Sequence, residues 1–523
     1  MRRKPLLMAR KSRFILCALH EVLHTPSGVL YYSYDLCGMF YRLEAAHFFY
    51  EHYENWECCV LIGAPQFLLI RELDKTVCAG YFKSKHIIRI FITMKLVELP
   101  DGIETRAFVL DEHAIDDLPE VLNTFFPNKR AFLIADENTW AAAGNRVEQV
   151  LKKSEKVDIQ GVHIYGKERF HPDSSFSDAL CESFAAMKDV VPVAVGSGVI
   201  NDIVKCAAGK AGIPYCCVPT AASVDGYTAS GAAMSVDGFK TTVPCPAPLA
   251  VVAEISVLRD APAWMLSSGY ADLLTKVPAG ADWLIADMMN EEKIAPDAWD
   301  LVQKNIREYV SDASNLGSVF AGLAATGYAM QLYGTSRPAS GFEHLCSHVW
   351  EMEKLSVDGE EVSHGFKAGF ATLISTLLME YLLDRSAEEI ASVASAPESE
   401  SERAANIERL LSKGCYGDKV LPTAMSKFKT GNDIVQRRKE ILEKWESFKV
   451  PIRERIIPFN RLRGMLKEAG CPWKPSMIGL DKQQLTDGVR RAQLIRVRYN
   501  IADLLYEAGV LDDAIKTLDV LFE

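Results

Sequence analysis

The strongest constraint on the fold is an alternation of short β-rich runs with helical stretches between about residues 101 and 255. The β-rich runs are short and apolar, and the segments between them have the spacing of amphipathic helices. Because parallel strands need long crossover connections, this alternation predicts a parallel sheet covered by helices. The predicted strands contain, in chain order, "TRAFVL", "AFLIA", "VHIYG", "VPVAVG" and "PYCCVP".

The β-rich runs stop near residue 256, and long helical patterns continue to the C-terminus. We therefore predict an α/β domain at residues 101–255 and an all-helical domain at 256–523, with a cleft between them as the natural place for a site. The acidic stretch "ASAPESESERAAN" is predicted to be a solvated loop. Residues 1–100 hold five of the 13 cysteines and five of the 11 histidines, and they are an N-terminal extension of unknown status.

Composition and charge exclude several functions. A net charge of −11 argues against a nucleic-acid partner, which would need a concentrated basic surface. The odd number of scattered cysteines is typical of reduced thiols in the cytoplasm. No apolar run approaches the roughly 20 residues of a membrane helix, so no membrane span is expected. The basic N-terminus lacks a secretory cleavage site, and an organelle transit peptide stays an alternative to a cytoplasmic location.

The stretch "VPVAVGSGVINDIVKCAAGK" has the pattern of a strand, a glycine turn and a helix. Glycines allow close approach of the backbone to a ligand, and the free N–H groups of a helix N-terminus suit a pyrophosphate. The pattern is G-x-G-x-x-N and not G-x-G-x-x-G, so a tight turn without a ligand is the alternative. The candidate nucleotide-binding residues here are Gly196, Ser197, Gly198, Val199, Ile200, Asn201 and Asp202, of which the last two could instead cap the helix.

A second loop, "CVPTAASVDGYTASGAAM", follows the next predicted strand and is rich in glycine and hydroxyl side chains. Loops that follow consecutive parallel strands lie at one edge of the sheet, which favours a nucleotide site there. Asp136 ends the strand "AFLIAD" and could accept hydrogen bonds from a ribose, favouring NAD over NADP. It precedes the glycines by 60 residues, however, and a cap at the strand end is the alternative.

The helical part contains a candidate metal site. Asp272 has apolar neighbours on both sides in a predicted helix, where a carboxylate needs a partner. His344 and His348, four residues apart, share one face of another predicted helix, and His364 follows. One aspartate and two histidines with an open position form a reasonable catalytic metal site, although histidines at this spacing also occur in cores.

Five motifs in this order and spacing resemble the glycerol-1-phosphate dehydrogenase family, most closely its AraM-like bacterial branch. The motifs are "VGSGVINDIVKCAA", "VPTAASVDGYTASGA", "SSGYADLLTK", "SRPASGFEHLCSH" and "SHGFKAG". The family belongs to a superfamily with iron-dependent alcohol dehydrogenases, glycerol dehydrogenase and dehydroquinate synthase. The resemblance covers about residues 101–500 and implies a dinucleotide-binding α/β domain, an all-α metal-binding domain and a homodimer.

The resemblance also implies residue roles. Asp272, His344 and His364 would hold one divalent metal ion (zinc, nickel or iron), and His348 would contact the substrate. Asp225 and Asp272 would also touch the substrate, and Asp272 and His348 would act in catalysis. Thr220 and Ser223 would join the glycine turn in binding NAD or NADP. The family usually has serine four residues after Asp225, where this chain has Ala229, flanked by Thr228 and Ser230.

The implied reaction is hydride transfer between a nicotinamide and C2 of a phosphorylated three-carbon substrate, which interconverts dihydroxyacetone phosphate and sn-glycerol 1-phosphate. Lys276, Lys205 or Arg337 could bind the substrate phosphate, and the sequence does not choose among them. Three alternatives stay open. They are a dehydrogenase of glycerol or another alcohol, a lyase like dehydroquinate synthase, and a non-catalytic nucleotide-binding protein.

Overall fold

The computed structural model describes residues 99–523 apart from 167–170, 237–238, 413–415 and 417–419, together with two short strands farther upstream. These strands, β1 (Val60–Leu61) and β2 (Phe67–Leu68), pair antiparallel. The predictions for residues 1–100 otherwise lie outside the described residues. The described residues from 99 onward belong to one compact unit.

A six-stranded, all-parallel sheet lies in the first part of this unit, as the sequence predicts. Its spatial order is β3-β10-β7-β6-β4-β5, so the glycine turn after β6 and the loop after β7 leave the sheet side by side. The strands are β3 (Ala107–Asp111), β4 (Arg130–Asp136), β5 (Ile159–Tyr165), β6 (Val190–Gly196), β7 (Cys216–Pro219) and β10 (Ala250–Glu254).

Sequence analysis missed β10, which lies between β3 and β7. It also missed an antiparallel hairpin between β7 and β10, formed by β8 (Ala232–Val236) and β9 (Phe239–Val243). The sequence did carry a hairpin signal, because Asp-Gly precedes "FKTTV", whose phenylalanine, threonines and valine have high β propensity.

Both faces of the sheet are covered, which explains the continuous apolar runs. Successive residues of β4 point to opposite faces: Leu133 packs with the helices of one hydrophobic cluster, and Ile134 packs in the other. The cluster on the Ile134 face continues through the helical part of the chain. The sheet and the helices after it therefore share one core along this face.

Helices account for nearly all of the remaining elements. Those flanking the sheet strands are α1 (Leu118–Phe125), α2 (Asn145–Ser154), α3 (Ser174–Ala185) and α4 (Gly198–Ala211). Those after β10 are α5 (Ile255–Arg259), α6 (Ala263–Leu274), α7 (Lys276–Met288), α8 (Pro296–Gln303), α9 (Ile306–Tyr309), α10 (Leu316–Tyr333), α11 (Phe342–Met352), α12 (His364–Leu383), α13 (Ala387–Val393), α14 (Glu400–Leu411), α15 (Val420–Lys427), α16 (Gly431–Arg455), α17 (Phe459–Glu468), α18 (Lys482–Ala492), α19 (Ile501–Glu507) and α20 (Leu511–Ile515).

Two local features of the helical part depart from the sequence-based expectation. A hairpin of two-residue strands, β11 (Ser356–Val357) and β12 (Glu360–Glu361), connects α11 to α12. The acidic stretch predicted to be a loop is helical in its second half, where α14 begins. Ser399 and Glu402 form a capping box there, which satisfies two backbone N–H groups at the helix start.

Within the described residues, one helix has the length and hydropathy of a membrane span: α12, His364–Leu383. Its most apolar window is 89% buried inside the protein. That burial is typical of a core helix, and α12 packs along its length against other helices.

We predict that Gly269→Ala lowers the melting temperature. A methyl group at Gly269 in α6 would lie 1.7 Å from the carbonyl oxygen of Ala222, in the loop after β7. Relieving that overlap must push the helix from the loop, at a cost of about 1–3 kcal/mol or more.

Gly464→Ala in α17 is the matched control, because no atom lies within 4 Å of the position that its methyl group would take. It should raise stability by about 0.5–1 kcal/mol through helix propensity. Equal melting temperatures for the two variants, measured by scanning fluorimetry, would show that α6 does not abut the loop this closely.

Candidate active site

Close packing of α6 and α12 brings two of the predicted metal ligands together. A methyl group at Gly365 would lie 2.0 Å from the carbonyl oxygen of Ser268, and one at Gly369 would lie 2.5 Å from Cβ of Ala271. Because glycine lacks a side chain, the two backbones approach closely at these positions. Asp272 follows on α6, and His364 is the first residue of α12, so both side chains enter the same space.

Asp272, His344 and His364 lie close enough to share an ion. One carboxylate oxygen and one ring nitrogen from each histidine all lie within 4.8 Å of one another. Asp272 and His344 are buried, whereas the His364 side chain is 26% exposed and faces the open side. Carboxylate and imidazole donors suit zinc, iron or nickel, so the residues present fit the metal that the sequence predicts.

His348 lies beside this cluster. Its ring centroid is 6.5 Å from that of His344 and 6.0 Å from that of His364, and its side chain is 38% exposed. Partial desolvation lowers the pKa of His348 below its ordinary value, although the neighbouring Glu351 opposes the shift. At neutral pH the imidazole is therefore uncharged and can accept a proton.

Sequence analysis missed two glutamates, whose carboxylates contact the Nδ1 atoms of the three histidine rings. Glu343 lies 3.0 Å from Nδ1 of His344, while Nε2 of that ring is 3.6 Å from Oδ1 of Asp272. Glu351 lies 2.7 Å from Nδ1 of His364 and 3.3 Å from Nδ1 of His348. The signal in the sequence was the i,i+3 spacing of His348 and Glu351 on one helix.

Asp272 carries its charge in a fully buried position. Burial alone would raise the pKa of Asp272, but Lys276, His344 and His364 together hold it well below its ordinary value. The Lys276 ammonium lies 2.8 Å from Oδ1 of Asp272 and 2.7 Å from Oδ2 of Asp225. Burial would lower the pKa of Lys276, and these two carboxylates raise it instead.

Asp225 connects the loop after β7 to this cluster. Its backbone N–H donates to Oδ2 of Asp272 at 3.1 Å, and its side chain is 17% exposed. The loop that starts at the sheet edge therefore ends against the metal-ligand candidates. This loop therefore connects the two sites that were predicted separately from the sequence.

The predicted nucleotide-binding turn lies at the neighbouring strand end. Gly196 ends β6, and Ser197 is the N-cap of α4 without a side-chain cap hydrogen bond. The N–H groups of Gly198, Val199 and Ile200 open the helix and have no acceptor one turn earlier, an arrangement suited to a phosphate. Thr220 and Ser223 follow β7 beside them.

Asn201 and Asp202 of the same turn have structural partners. The Asn201 side chain is buried; it accepts a hydrogen bond from Tyr215 Oη at 3.1 Å. Asp202 accepts from the backbone of Ala233 at 3.3 Å. Both side chains thus hold neighbouring segments and do not cap the helix, whose N-cap is Ser197; a contact with the nucleotide stays a prediction.

Asp136 caps the helical turn that follows β4. Its Oδ1 accepts from the backbone N–H groups of Asn138 and Thr139 at 2.8 and 2.9 Å. It lies at the same sheet edge as the glycine turn, because β4 is the neighbour of β6. The capping role is observed here, and a ribose contact stays a prediction.

Comparisons with known proteins identify a family model, relatives and a solved structure that are similar to this chain. Residues 109–262 match the family model described as iron-containing alcohol dehydrogenase. The chain is 28% identical over 420 residues to glycerol-1-phosphate dehydrogenase, NAD(P)+, of Geobacillus thermodenitrificans, over 77% of this chain and 92% of the relative. A probable glycerol dehydrogenase structure from Sinorhizobium meliloti 1021 aligns with a TM-score of 0.47 and 14% identity, over 79% of this chain and 98% of that one.

A second relative decides the family. The chain is 34% identical over 286 residues to glycerol-1-phosphate dehydrogenase, NAD(P)+, of Halalkalibacterium halodurans, over 53% of this chain and 71% of the relative. The chain belongs to the glycerol-1-phosphate dehydrogenase family. The resemblance drawn from the five sequence motifs is confirmed.

One departure from the family pattern is Ala229 in place of serine. Ala229 is buried, and its carbonyl accepts from Lys205 at 2.8 Å. The hydroxyl of the preceding Thr228 donates to the carbonyl of Ala324 in α10 at 2.8 Å. Thr228 thus ties the loop to a helix, and the neighbouring Ser230 is half-buried.

The three cations considered for a substrate phosphate are fully buried and already engaged. Lys205 donates to the carbonyls of Gly226, Ala229 and Gly231 and so fixes the loop after β7. Arg337 donates from Nη2 to the carbonyl of Asp282 at 2.9 Å, and its Nε lies 3.3 Å from Glu292, while Nη1 has no hydrogen-bond partner among the described residues. With Lys276 held between two carboxylates, each of the three has a structural role in this family member.

We predict that Lys276→Met strongly destabilises the chelator-treated protein. The variant leaves Asp225 and Asp272 without their buried cation, and breaking such a pair costs about 3–5 kcal/mol. A divalent ion should restore part of the loss, because it supplies positive charge beside Asp272. The measurement is the melting temperature with chelator and with added Zn²⁺.

Lys304→Met is the matched control. Lys304 and Asp300 form an i,i+4 pair as Lys276 and Asp272 do, but both are on the surface. Such exposed pairs contribute about 0–1 kcal/mol. If Lys276→Met and Lys304→Met have the same melting temperature in chelator, and Zn²⁺ raises both equally, the role given to Lys276 is wrong.

Proposed function

We propose that the chain is a metal-dependent, NAD(P)-linked dehydrogenase that interconverts dihydroxyacetone phosphate and sn-glycerol 1-phosphate. One observation carries the proposal: Asp272, His344 and His364 converge at the end of a loop that starts beside the glycine turn. The relatives named for this reaction support the substrate. The other alcohol dehydrogenase, lyase and non-catalytic alternatives have no comparable support.

The proposed cofactors divide between the two parts of the cleft. Gly196 to Asp202, with Thr220, Ser223 and Asp136, lie along the sheet edge where NAD or NADP would bind. Asp272, His344 and His364 would hold one zinc, nickel or iron ion. When bound, the ion supplies a Lewis acid at the reacting oxygen. A bound nicotinamide would donate a hydride to C2 of the ketone during reduction and accept it from C2 of the alcohol during oxidation.

The protein groups position the substrate and handle the proton. Asp225, whose carboxylate remains partly exposed, would accept a hydrogen bond from a substrate hydroxyl. His348 would take a proton at Nε2 during alcohol oxidation, and return it during ketone reduction. Its lowered pKa keeps the ring uncharged before the transfer, and Glu351 near Nδ1 would stabilise the imidazolium that forms.

A homodimer and a cytoplasmic location stay predictions of the sequence analysis. So does the choice between NAD and NADP, which depends on whether Asp136 faces a ribose 2′-hydroxyl.

We predict that chelation abolishes the reduction of dihydroxyacetone phosphate by NADH or NADPH, and that a divalent ion restores it. The assay is absorbance at 340 nm, with Zn²⁺, Ni²⁺ and Fe²⁺ tested separately. Glycerol 1-phosphate should be oxidised with a far higher kcat/KM than glycerol. Full activity in chelator, or equal use of the two alcohols, would overturn the proposal.

We predict opposite metal contents for two histidine variants. His364→Ala should lose the ion and nearly all turnover, because it removes one of three ligands. His348→Ala should keep one equivalent of metal and lose kcat by about 100-fold or more, the range of general acid–base catalysis. Elemental analysis of the purified variants separates the roles; a metal-free His348→Ala protein would show that His348 is a ligand.

A further inference from the structure

The carboxylate of Glu351 lies between the two histidines that have different proposed roles. Oε1 lies 2.7 Å from Nδ1 of His364, and Oε2 lies 3.3 Å from Nδ1 of His348. Glu351 is on α11 one turn after His348, while His364 begins α12. A single side chain, with only 5% of its surface exposed, thus spans the junction of the two helices.

The chemistry of a carboxylate fixes both rings. An ionised carboxylate only accepts hydrogen bonds, so the His364 ring donates its Nδ1 hydrogen to Glu351 at 2.7 Å, and at 3.3 Å the Nδ1 of His348 is within reach of the same carboxylate. The lone pair of each Nε2 is then left for the cleft, where one ring would bind an ion and the other a proton. A hydrogen-bonded carboxylate also orients the imidazole plane and increases its basicity.

The surroundings keep Glu351 in this place. Lys367, one turn after His364 on α12, lies 3.8 Å from Oε1 of Glu351 and 3.3 Å from Glu361. Lys367 is also nearly fully buried. The buried negative charge of Glu351 is thereby balanced by a cation that lies behind the histidines.

We propose that Glu351 is a positioning residue that acts through both histidines, so that metal affinity and proton transfer depend on one carboxylate. This inference rests on the proposed function for the role of each ring. Glu343 is different, because it contacts His344 and not His348. Its loss should weaken metal binding without disturbing the orientation of His348.

The first measurement concerns metal binding alone. Chelator-treated wild type and Glu351→Gln are titrated with Co²⁺, whose visible absorption reports the donor set, and with Zn²⁺ in competition with a chromophoric chelator. We expect Glu351→Gln to bind about 10- to 100-fold more weakly, the usual effect of losing such a partner. Glu351→Asp, which keeps the charge on a shorter side chain, should recover part of the affinity.

The second measurement concerns turnover at saturating metal. We expect kcat of Glu351→Gln to stay at least about tenfold below wild type with a smaller change in KM, because His348 is no longer oriented. Glu343→Gln should show a smaller loss of kcat. The double variant Glu351→Gln/His348→Ala should be no slower than His348→Ala, because the two residues act in one step.

Glu353→Gln is the control for a general structural effect. Glu353 lies two residues after Glu351 and pairs with Arg491 at 3.0 Å, away from the histidines. It should change neither metal affinity nor kcat. Melting temperatures of all variants identify a folding defect. If Glu351→Gln is unstable, the same metal affinity and kcat are measured on Glu351→Asp.

The possible failures are distinguishable. A wild-type protein that binds no metal, or that keeps it in the His364→Ala variant, sinks the proposed function. Metal binding by wild type with unchanged affinity and kcat in Glu351→Gln overturns the inference alone. Weak metal binding with full recovery of kcat at saturation would show that Glu351 acts on His364 only, which contradicts the shared role.

Discussion

The structure depends on the burial of one ionised carboxylate, Asp272, in the middle of the helical part. An uncompensated charge there would cost more than the fold could tolerate, so the surroundings must supply positive charge and hydrogen-bond donors. Lys276, the first residue of α7, supplies the charge, and the backbone of Asp225 supplies a donor. His344 approaches from a third segment. The stabilisation of this carboxylate therefore holds α6, α11 and the loop after β7 in one arrangement.

Close packing provides the precision that charge compensation alone would not. Gly269 allows α6 to reach the loop after β7, and Gly365 allows α12 to reach α6. These contacts bring a sheet-edge loop and three helices to within the reach of one ion. Lys205 then fixes the same loop from the α4 side through three backbone carbonyls. The cleft is formed by backbone contacts as much as by its polar side chains.

The buried cations show how one residue type can serve different purposes. A lysine in a ligand-like motif suggests an anion site, yet Lys205 and Lys276 have all their contacts inside the protein. Burial of a lysine is tolerable only when oxygen atoms surround the ammonium group. The motifs of this chain thus contain two kinds of residue: some hold neighbouring segments in place, and others are candidates for contact with a ligand.

Much of the fold and of the site was predictable from the sequence. The β-rich runs indicated a parallel sheet, because burial on both faces demands continuous apolar strands. The residue pattern offered one aspartate and three histidines as metal-ligand candidates, and the resemblance to the family implied that Asp272, His344 and His364 are the three ligands. Chain order could not reveal β10 between β3 and β7, since a strand's neighbours depend on tertiary pairing. It also could not show that Asn201 and Thr228 turn inward to hold other segments.

The sequence by itself determined the classes of residue available: a glycine turn, a hydroxyl-rich loop, one buried acid and three histidines in helical segments. Only the tertiary structure decided which of these residues lie together at the candidate site and which of them stabilise the fold. Side chains from different helices must come together before two questions can be answered. One is whether Lys276 contacts a phosphate or two carboxylates, and the other is whether one glutamate contacts two histidines. Those distances come from the packing of α6, α11 and α12, which local sequence patterns do not encode.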